Sequence, residues 1–438
     1  MSDERHPPGP PDPPGSDAVE PTEVGEPDPG RHARGPGVPL EDAWGRRFVR
    51  ELTGGTALIT VLSVLLALLL GAVLVAVSDP RVQDAGAYLF SRPGDTLSAA
   101  WESVSNAYSA LFRGSIIDFG EYSIGRALRP LGETLTNATP LIAAGLSVAL
   151  AFRTGLFNIG AEGQIIVGAI LAAYVGFTWD LPIAVHLLLG VLAGMLGGAI
   201  WGGIAGFVKA KTGAHEVITT IMLNYVARFL ILYLLTTSLF QRPGASNPIS
   251  PPIVESAQLP RLLGASSRLH LGFILVLLAA VFVWWLLSRS TVGFQFRAVG
   301  ANPHAARTAG MSVERSYTNV MLIAGALAGL AGVSQVLGTE RVLTTGISSG
   351  FGFDAITVAL LGRASPWGTV AAGTLFGALR AGGVTMQAGT GTPIDIVLVV
   401  QSLVVLFIAA PPLVRSIFRI RVADVGSPIG EVSKGWKT

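Results

Sequence analysis

The chain has 438 residues, and its 30 Lys or Arg and 28 Asp or Glu make up 13% of them, where a soluble domain carries about 25%. Half of the residues are hydrophobic, and they gather into blocks of about 20, the length a helix needs to cross a hydrocarbon layer roughly 30 Å thick, which excludes a soluble enzyme. There is no cysteine, so disulfides, thiolate metal sites and thiol catalysis are excluded, and the net charge of +2 gives no basis for a nucleic-acid partner.

Residues 1 to 39 hold 11 of the 27 prolines and eight acidic residues but almost no large apolar side chain. They cannot bury enough surface to offset chain entropy, and a disordered tail is expected over residues 1–50. Ten apolar segments follow, at 56–77, 138–153, 156–177, 182–208, 217–240, 271–288, 317–338, 351–364, 366–387 and 393–411. The second, third and eighth are short or broken by glycine, which suits half-helices or re-entrant segments. The fold class expected is an all-α polytopic membrane protein of about ten transmembrane helices, with a membrane domain at 56–412 and a second tail at 413–438. An amino terminus inside and ten spans put 19 of the 30 Lys and Arg on the inner side, nine outside, and Arg228 and Arg380 within spans. That bias predicts both termini in the cytoplasm. The long segment 78–136 then lies outside, with an amphipathic helix expected around Trp101 to Phe112.

The third segment begins TGLFNIGAEGQ. A continuous helix there would place Asn158 and Glu162 on one face, with Gln164 turned away, while Gly155, Gly160 and Gly163 would let backbone approach closely or break the helix into a ligand-holding end. A buried polar cluster that fixes packing fits the same residues. The fourth segment carries Gly190, Gly194, Gly198, Gly202 and Gly206, an every-fourth ridge that lets another helix backbone come close, as packing in lipid requires. In the fifth, Glu216, Thr220, Asn224 and Arg228 recur at i+4 and form one polar stripe about 18 Å long. Polar groups at that depth face protein or a water-filled cavity, so the stripe lines a substrate route or forms an interhelical hydrogen-bond ladder.

The inner loop 289–316 contains RAVGANPHAARTAGMS, in which Asn302 suits a helix cap, Pro303 the first helical position and Gly310 the end. A short loop helix with Arg297 and Arg307 can dock on a cytoplasmic partner or remain an ordinary basic loop. Near the eighth segment, Asp354 is a further buried acid. The candidate substrate route is therefore Asn158, Glu162, Gln164, Glu216, Thr220, Asn224 and Asp354. No GxxxxGK[ST] loop exists and only four residues are lysine, so the chain has no evident means of hydrolysing ATP. The six histidines are scattered without a metal-binding pair, and no paired nucleophile and base is visible. No catalytic residue, metal or cofactor is expected.

At these motifs the chain resembles the permease subunits of bacterial ATP-binding-cassette importers of the nucleoside, simple-sugar and branched-chain amino acid type. The resemblance covers roughly residues 130 to 412 and rests on TPLIAAGLSVALAFRTGLFNIGAEGQIIVGA, GAHEVITTIMLNYVA, RAVGANPHAARTAGMSVERS and GFDAITVALLGRASPWGTVAAGTLFGALRAG. It implies a multi-pass protein of the bacterial cell membrane that works with a second homologous permease, a duplicated ATPase subunit and a membrane-anchored extracytoplasmic substrate-binding lipoprotein. It also implies that residues 297 to 312 form the ATPase-coupling helix, with Arg297, Gly300, Asn302, Ala306, Arg307 and Gly310 in it. Nucleosides are the substrates it favours; ribose-like sugars are the alternative, and an ion-coupled transporter using Glu162 or Asp354 is the rival from another class.

Overall fold

The computed structural model describes residues 56–264 and 267–418; the tails expected at 1–50 and over most of 413–438 lie outside the described residues. The main helices are α1 (Thr56–Ser78), α2 (Pro93–Ser115), α3 (Arg129–Arg153), α4 (Ala161–Thr178), α5 (Ile183–Thr212), α6 (Glu216–Leu234), α7 (Gly272–Arg289), α8 (Thr291–Ala301), α9 (Pro303–Thr308), α10 (Val313–Val333), α11 (Phe351–Leu361), α12 (Pro366–Thr390) and α13 (Asp395–Ala409). No strand occurs among the described residues, and seven helices are long and apolar enough to cross a membrane. The ten expected apolar segments map onto α1, α3 to α7 and α10 to α13. The expected amphipathic helix falls within α2, whose Ser103, Ala107, Ala110 and Gly114 turn inward while Leu97 and Trp101 are exposed.

The centre of the bundle is α5 against α10. Gly190, Gly194, Gly198, Gly202 and Gly206 lie on the α10 side and its π-helical continuation Ser334–Thr339; a Cβ on Gly202 would sit 2.5 Å from the Met321 carbonyl oxygen, and one on Gly198 would sit 2.7 Å from Gly329 Cα. Leu188, Leu192, Leu196 and Ile200, two residues out of phase, occupy the opposite face and are at least half exposed. That is the surface lipid requires, while the glycines let the two backbones touch.

Two expectations need correction, and a third is met. The second segment is a full 25-residue helix, Arg129–Arg153, because Thr136 and Thr139 return their hydroxyls to the carbonyls of Gly132 and Leu135, so a stretch that reads as polar is satisfied internally. The eighth is a half-helix, as its short, glycine-broken sequence suits: 11 residues, Phe351–Leu361, beginning after the left-handed Gly350 (φ 75°). The inner loop holds two helices instead of one, and Arg297 sits on α8, separated from Arg307 on α9 by the break at Asn302, whose side chain accepts from the backbone of His304 and Ala305 (3.0 and 3.1 Å).

Both ends of the bundle are fixed by long-range contacts. At one end Arg153 Nε donates to the Ala364 carbonyl (2.9 Å), Lys209 pairs with Glu216 (2.8 Å), and α8 packs on the residues that follow α3. At the other, Ile249 bridges Thr344, Val254 N donates to Gly176 O, and Leu259 N donates to Leu337 O. The segment 340–350 descends from this second end to the start of α11.

Candidate functional site

The turn 154–160 sets the site. Gly155, with φ 74°, reverses the chain after α3, and α4 starts only at Ala161. Asn158 therefore lies outside the helix, so the expected Asn158–Glu162 helix face does not exist. Gln164, expected to point away, instead meets Asn158 in a reciprocal amide pair, with both bonds 2.9 Å, and Asn158 also donates to the Ser147 hydroxyl at 2.9 Å. Both side chains are almost wholly buried and neither lines a cavity among those described.

The stripe on α6 divides. Glu216 pairs with Lys209 and accepts from the Phe157 backbone (3.4 Å), Thr220 bonds back to the Glu216 carbonyl (2.8 Å), and Asn224 accepts from Gly163 N (2.8 Å) while donating to the Ile159 carbonyl (2.9 Å). These three are buried and hold the turn 154–160 and the first turn of α4 in place. Arg228 is exposed. Each i+4 step rotates about 40° on an α-helix, so three steps carry the stripe roughly a third of the way round. Sequence spacing made one face of what the packing resolves into two.

A cavity of about 500 Å³ opens where four elements meet about midway along α6. Ile159 comes from the turn 154–160 and Glu162 and Ile166 from the start of α4 that follows it, Ile221, Asn224, Tyr225 and Arg228 from α6, Thr345, Gly346, Ser348 and Ser349 from the re-entrant segment, and Gly350 and Phe353 from the start of α11. Of the candidate route residues, Glu162 and Asn224 line it. Glu162 Oε2 accepts from Gly352 N at 2.9 Å, and a Cβ on Gly352 would stand 2.6 Å from that oxygen, so glycine is what lets the two helix starts converge on one carboxylate. A helix N-terminus presents free N–H groups and a favourable field to an anion.

Asp354 faces away, toward α12. Its carboxylate lies 3.7 Å from Arg380 Nη2, which donates to the Ser349 carbonyl (2.8 Å), and the guanidinium stacks over Phe351 at 4.3 Å while Nη1 is buried without a partner. Arg380 therefore pins the re-entrant segment from behind. In the sequence Arg380 stands only as a charge inside a span, and a lone arginine within GALRAGG is the signal it offers. Tyr225, Phe353 and the hydroxyls of 345–349 gave no signal, since only the fold brings them together.

No metal-binding group of three or more His, Asp or Glu occurs among the described residues. At the far end, Asn302 caps α9, Ala306 is buried against Val299 and Val313, Arg307 pairs with Glu314 at 2.5 Å, and Gly310 has φ 81°. Gly300 sits on the turn after α3, where a Cβ would be 2.9 Å from Thr154 Cα.

Residues 131–409 match the family of branched-chain amino acid transport system permease components. The chain belongs to that family. A guanosine ABC transporter permease protein of Bacillus subtilis is 41% identical over 72% of this chain and 88% of its own length. A nucleoside ABC transporter permease protein of Lactococcus lactis is 37% identical over 64% of this chain and 79% of its own, and a glucose ABC transporter permease protein of Haloferax volcanii is 36% identical over 64% and 75%. No solved structure matches the chain. The family and the apolar helices make it a multi-pass membrane permease component, a path-forming subunit.

Proposed function

We propose that this permease forms half of a translocation path for nucleosides in an ATP-driven importer. The observation that carries the reading is the cavity at mid-depth. It offers two aromatic rings, Tyr225 and Phe353, that make no ring contact with another aromatic among the described residues, set among aliphatic walls with an amide, a carboxylate and several hydroxyls. An apolar, flat base needs such rings, and the hydroxyls of its sugar need the polar groups. The nucleoside and guanosine permeases among its relatives point the same way.

Arg228 supports a second permease subunit. It is exposed at the level of the cavity, where lipid is a costly neighbour, so the face carrying it is covered by protein or water when the importer is assembled. ATP hydrolysis belongs to a duplicated partner ATPase that docks on α9 at the cytoplasmic end, with both chain termini on that side and a substrate-binding lipoprotein at the other. Movement of α8 and α9 reaches the cavity by a short route, because Gly300 rests on Thr154 and the turn 154–160 is bonded at its other end to Glu216 and Asn224.

A simple sugar is the second reading, favoured by Thr345, Ser348 and Ser349 along one wall and by the glucose permease relative. The deciding experiment is ATP-dependent uptake of labelled nucleosides against ribose and glucose in cells that co-produce the chain with its partner subunits. Nucleoside uptake supports the first reading; uptake of sugars alone replaces it with the second.

A further inference from the structure

Glu162 is the one carboxylate on the cavity wall, and its geometry is unequal. Oε2 is engaged by Gly352 N, while no hydrogen bond within the described residues occupies Oε1. Arg228, on the opposing helix, makes no hydrogen bond or ion pair among the described residues, and the other cation near the acid, Arg380, is held behind the wall on the Ser349 carbonyl. Tyr225 and Phe353 line the same cavity and are 54% and 50% exposed. Such a half-free carboxylate accepts hydrogen bonds only, and it discriminates sharply between bases.

Guanine presents two adjacent donors, N1–H and the exocyclic amine, which match the open Oε1 and the second lone pair of Oε2. Hypoxanthine keeps N1–H and lacks the amine. Adenine sets an acceptor nitrogen beside its amine, and uracil flanks its single N–H with two carbonyls, so both bring lone pairs against the anion. Reading a base by its Watson–Crick edge while its faces rest on aromatic or apolar side chains is a recurrent solution.

We propose that Glu162 selects the base: the permease cavity takes guanine-type nucleosides through the Glu162 carboxylate, with Tyr225 and Phe353 packing against the base and Arg228 free for the ribose hydroxyls. The inference rests on the nucleoside reading above and names the substrate class within it. Glu162 also ties α4 to α11, so a base that engages it acts on the contact that joins the turn 154–160 to the re-entrant segment.

The test uses the purified complex of this chain with its partner permease and ATPase, without the binding protein, and measures ligand affinity by titration and thermal stabilisation with guanosine, inosine, adenosine, uridine and ribose. A hydrogen bond to a charged group is worth enough that its loss weakens binding at least about tenfold. Guanosine binds best, inosine about tenfold weaker, and adenosine and uridine weaker still. Glu162→Gln keeps an acceptor for Gly352 N yet lowers guanosine affinity at least about tenfold and narrows the gap to adenosine, whereas Phe353→Leu weakens guanosine and adenosine alike. Equal affinity for guanosine, adenosine and uridine in the unaltered complex overturns the proposal while leaving the nucleoside reading standing, as does a Glu162→Gln complex with unchanged preference. Binding of ribose without any nucleoside overturns the nucleoside reading itself. Should Glu162→Gln not assemble, the ligand series on the unaltered complex decides alone.

Discussion

Asn158→Leu separates a structural amide from a route residue. Asn158 is 0% exposed and makes three side-chain hydrogen bonds at 2.9 Å, two with Gln164 and one with Ser147. Leucine is of similar size, so the loss is polar: the Gln164 carbonyl and amine and the Ser147 hydroxyl are left facing hydrocarbon. An unsatisfied buried group costs about 1–3 kcal/mol, although groups in a membrane interior find substitute partners more readily, which puts the sum at about 2–4 kcal/mol. For a chain of this size, with an unfolding entropy of about 2.1 cal/mol/K per residue, that is a fall of roughly 2–5 °C in the apparent melting temperature. The assay is fluorescence-detected size-exclusion after heating the detergent-solubilised protein, run beside uptake normalised to surviving protein. Gln164→Leu alone falls by a similar amount, and Asn158→Leu with Gln164→Leu falls by less than the sum, because each single change strands the other's amide. An Asn158→Leu variant with unchanged melting temperature and abolished uptake refutes this reasoning and makes the amide part of the route.

Four further outcomes are expected. Gly198→Leu places a side chain into the Gly329 backbone at the α5–α10 contact and blocks accumulation of folded protein, whereas Leu196→Ile, on the exposed face, leaves it unchanged; equal yields would remove the ridge as the packing seam. Lys209→Met strands the buried Glu216 and destabilises by about 2–4 kcal/mol, and adding Glu216→Leu recovers part of it, as a thermal series on both variants shows. Burial, with Arg341 and Arg268 nearby, pushes His270 down to about 4, and its Nδ1 accepts from Gly272 N (3.1 Å), so protonation breaks a bond. The folded state then binds this proton less readily than the unfolded chain (about 6.5), so stability is full above pH 6.5 and falls as pH drops toward 4, by about 3 kcal/mol at pH 4; His270→Asn flattens that part of the profile. Arg307→Glu breaks a solvent-exposed ion pair with Glu314 that contributes little to stability, so membrane yield changes little, while the reversed charge on α9 abolishes ATP-driven uptake; normal uptake would take α9 out of the ATPase contact.

The residues that sequence placed well are those whose structure is decided within a few positions. Asn302, Pro303 and Gly310 bound a short helix because cap, first turn and left-handed exit are local backbone chemistry. The glycine ridge on α5 was legible because helical period alone puts every fourth residue on one side, and lipid leaves close packing as its use. Apolar blocks of spanning length were enough for the class, while the path-forming role came with the family. The site was decided elsewhere. Whether Gln164 meets Asn158 depends on where α4 begins, and that is set by Asn224 and Glu216 holding the turn 154–160 from another helix. The partner of Arg380 is a carbonyl 31 residues away on a re-entrant segment that no periodicity announces. The cavity exists because Gly352 admits the Glu162 carboxylate between two helix starts separated by 190 residues of chain, and contacts of that span follow from packing the whole bundle, which no local pattern encodes.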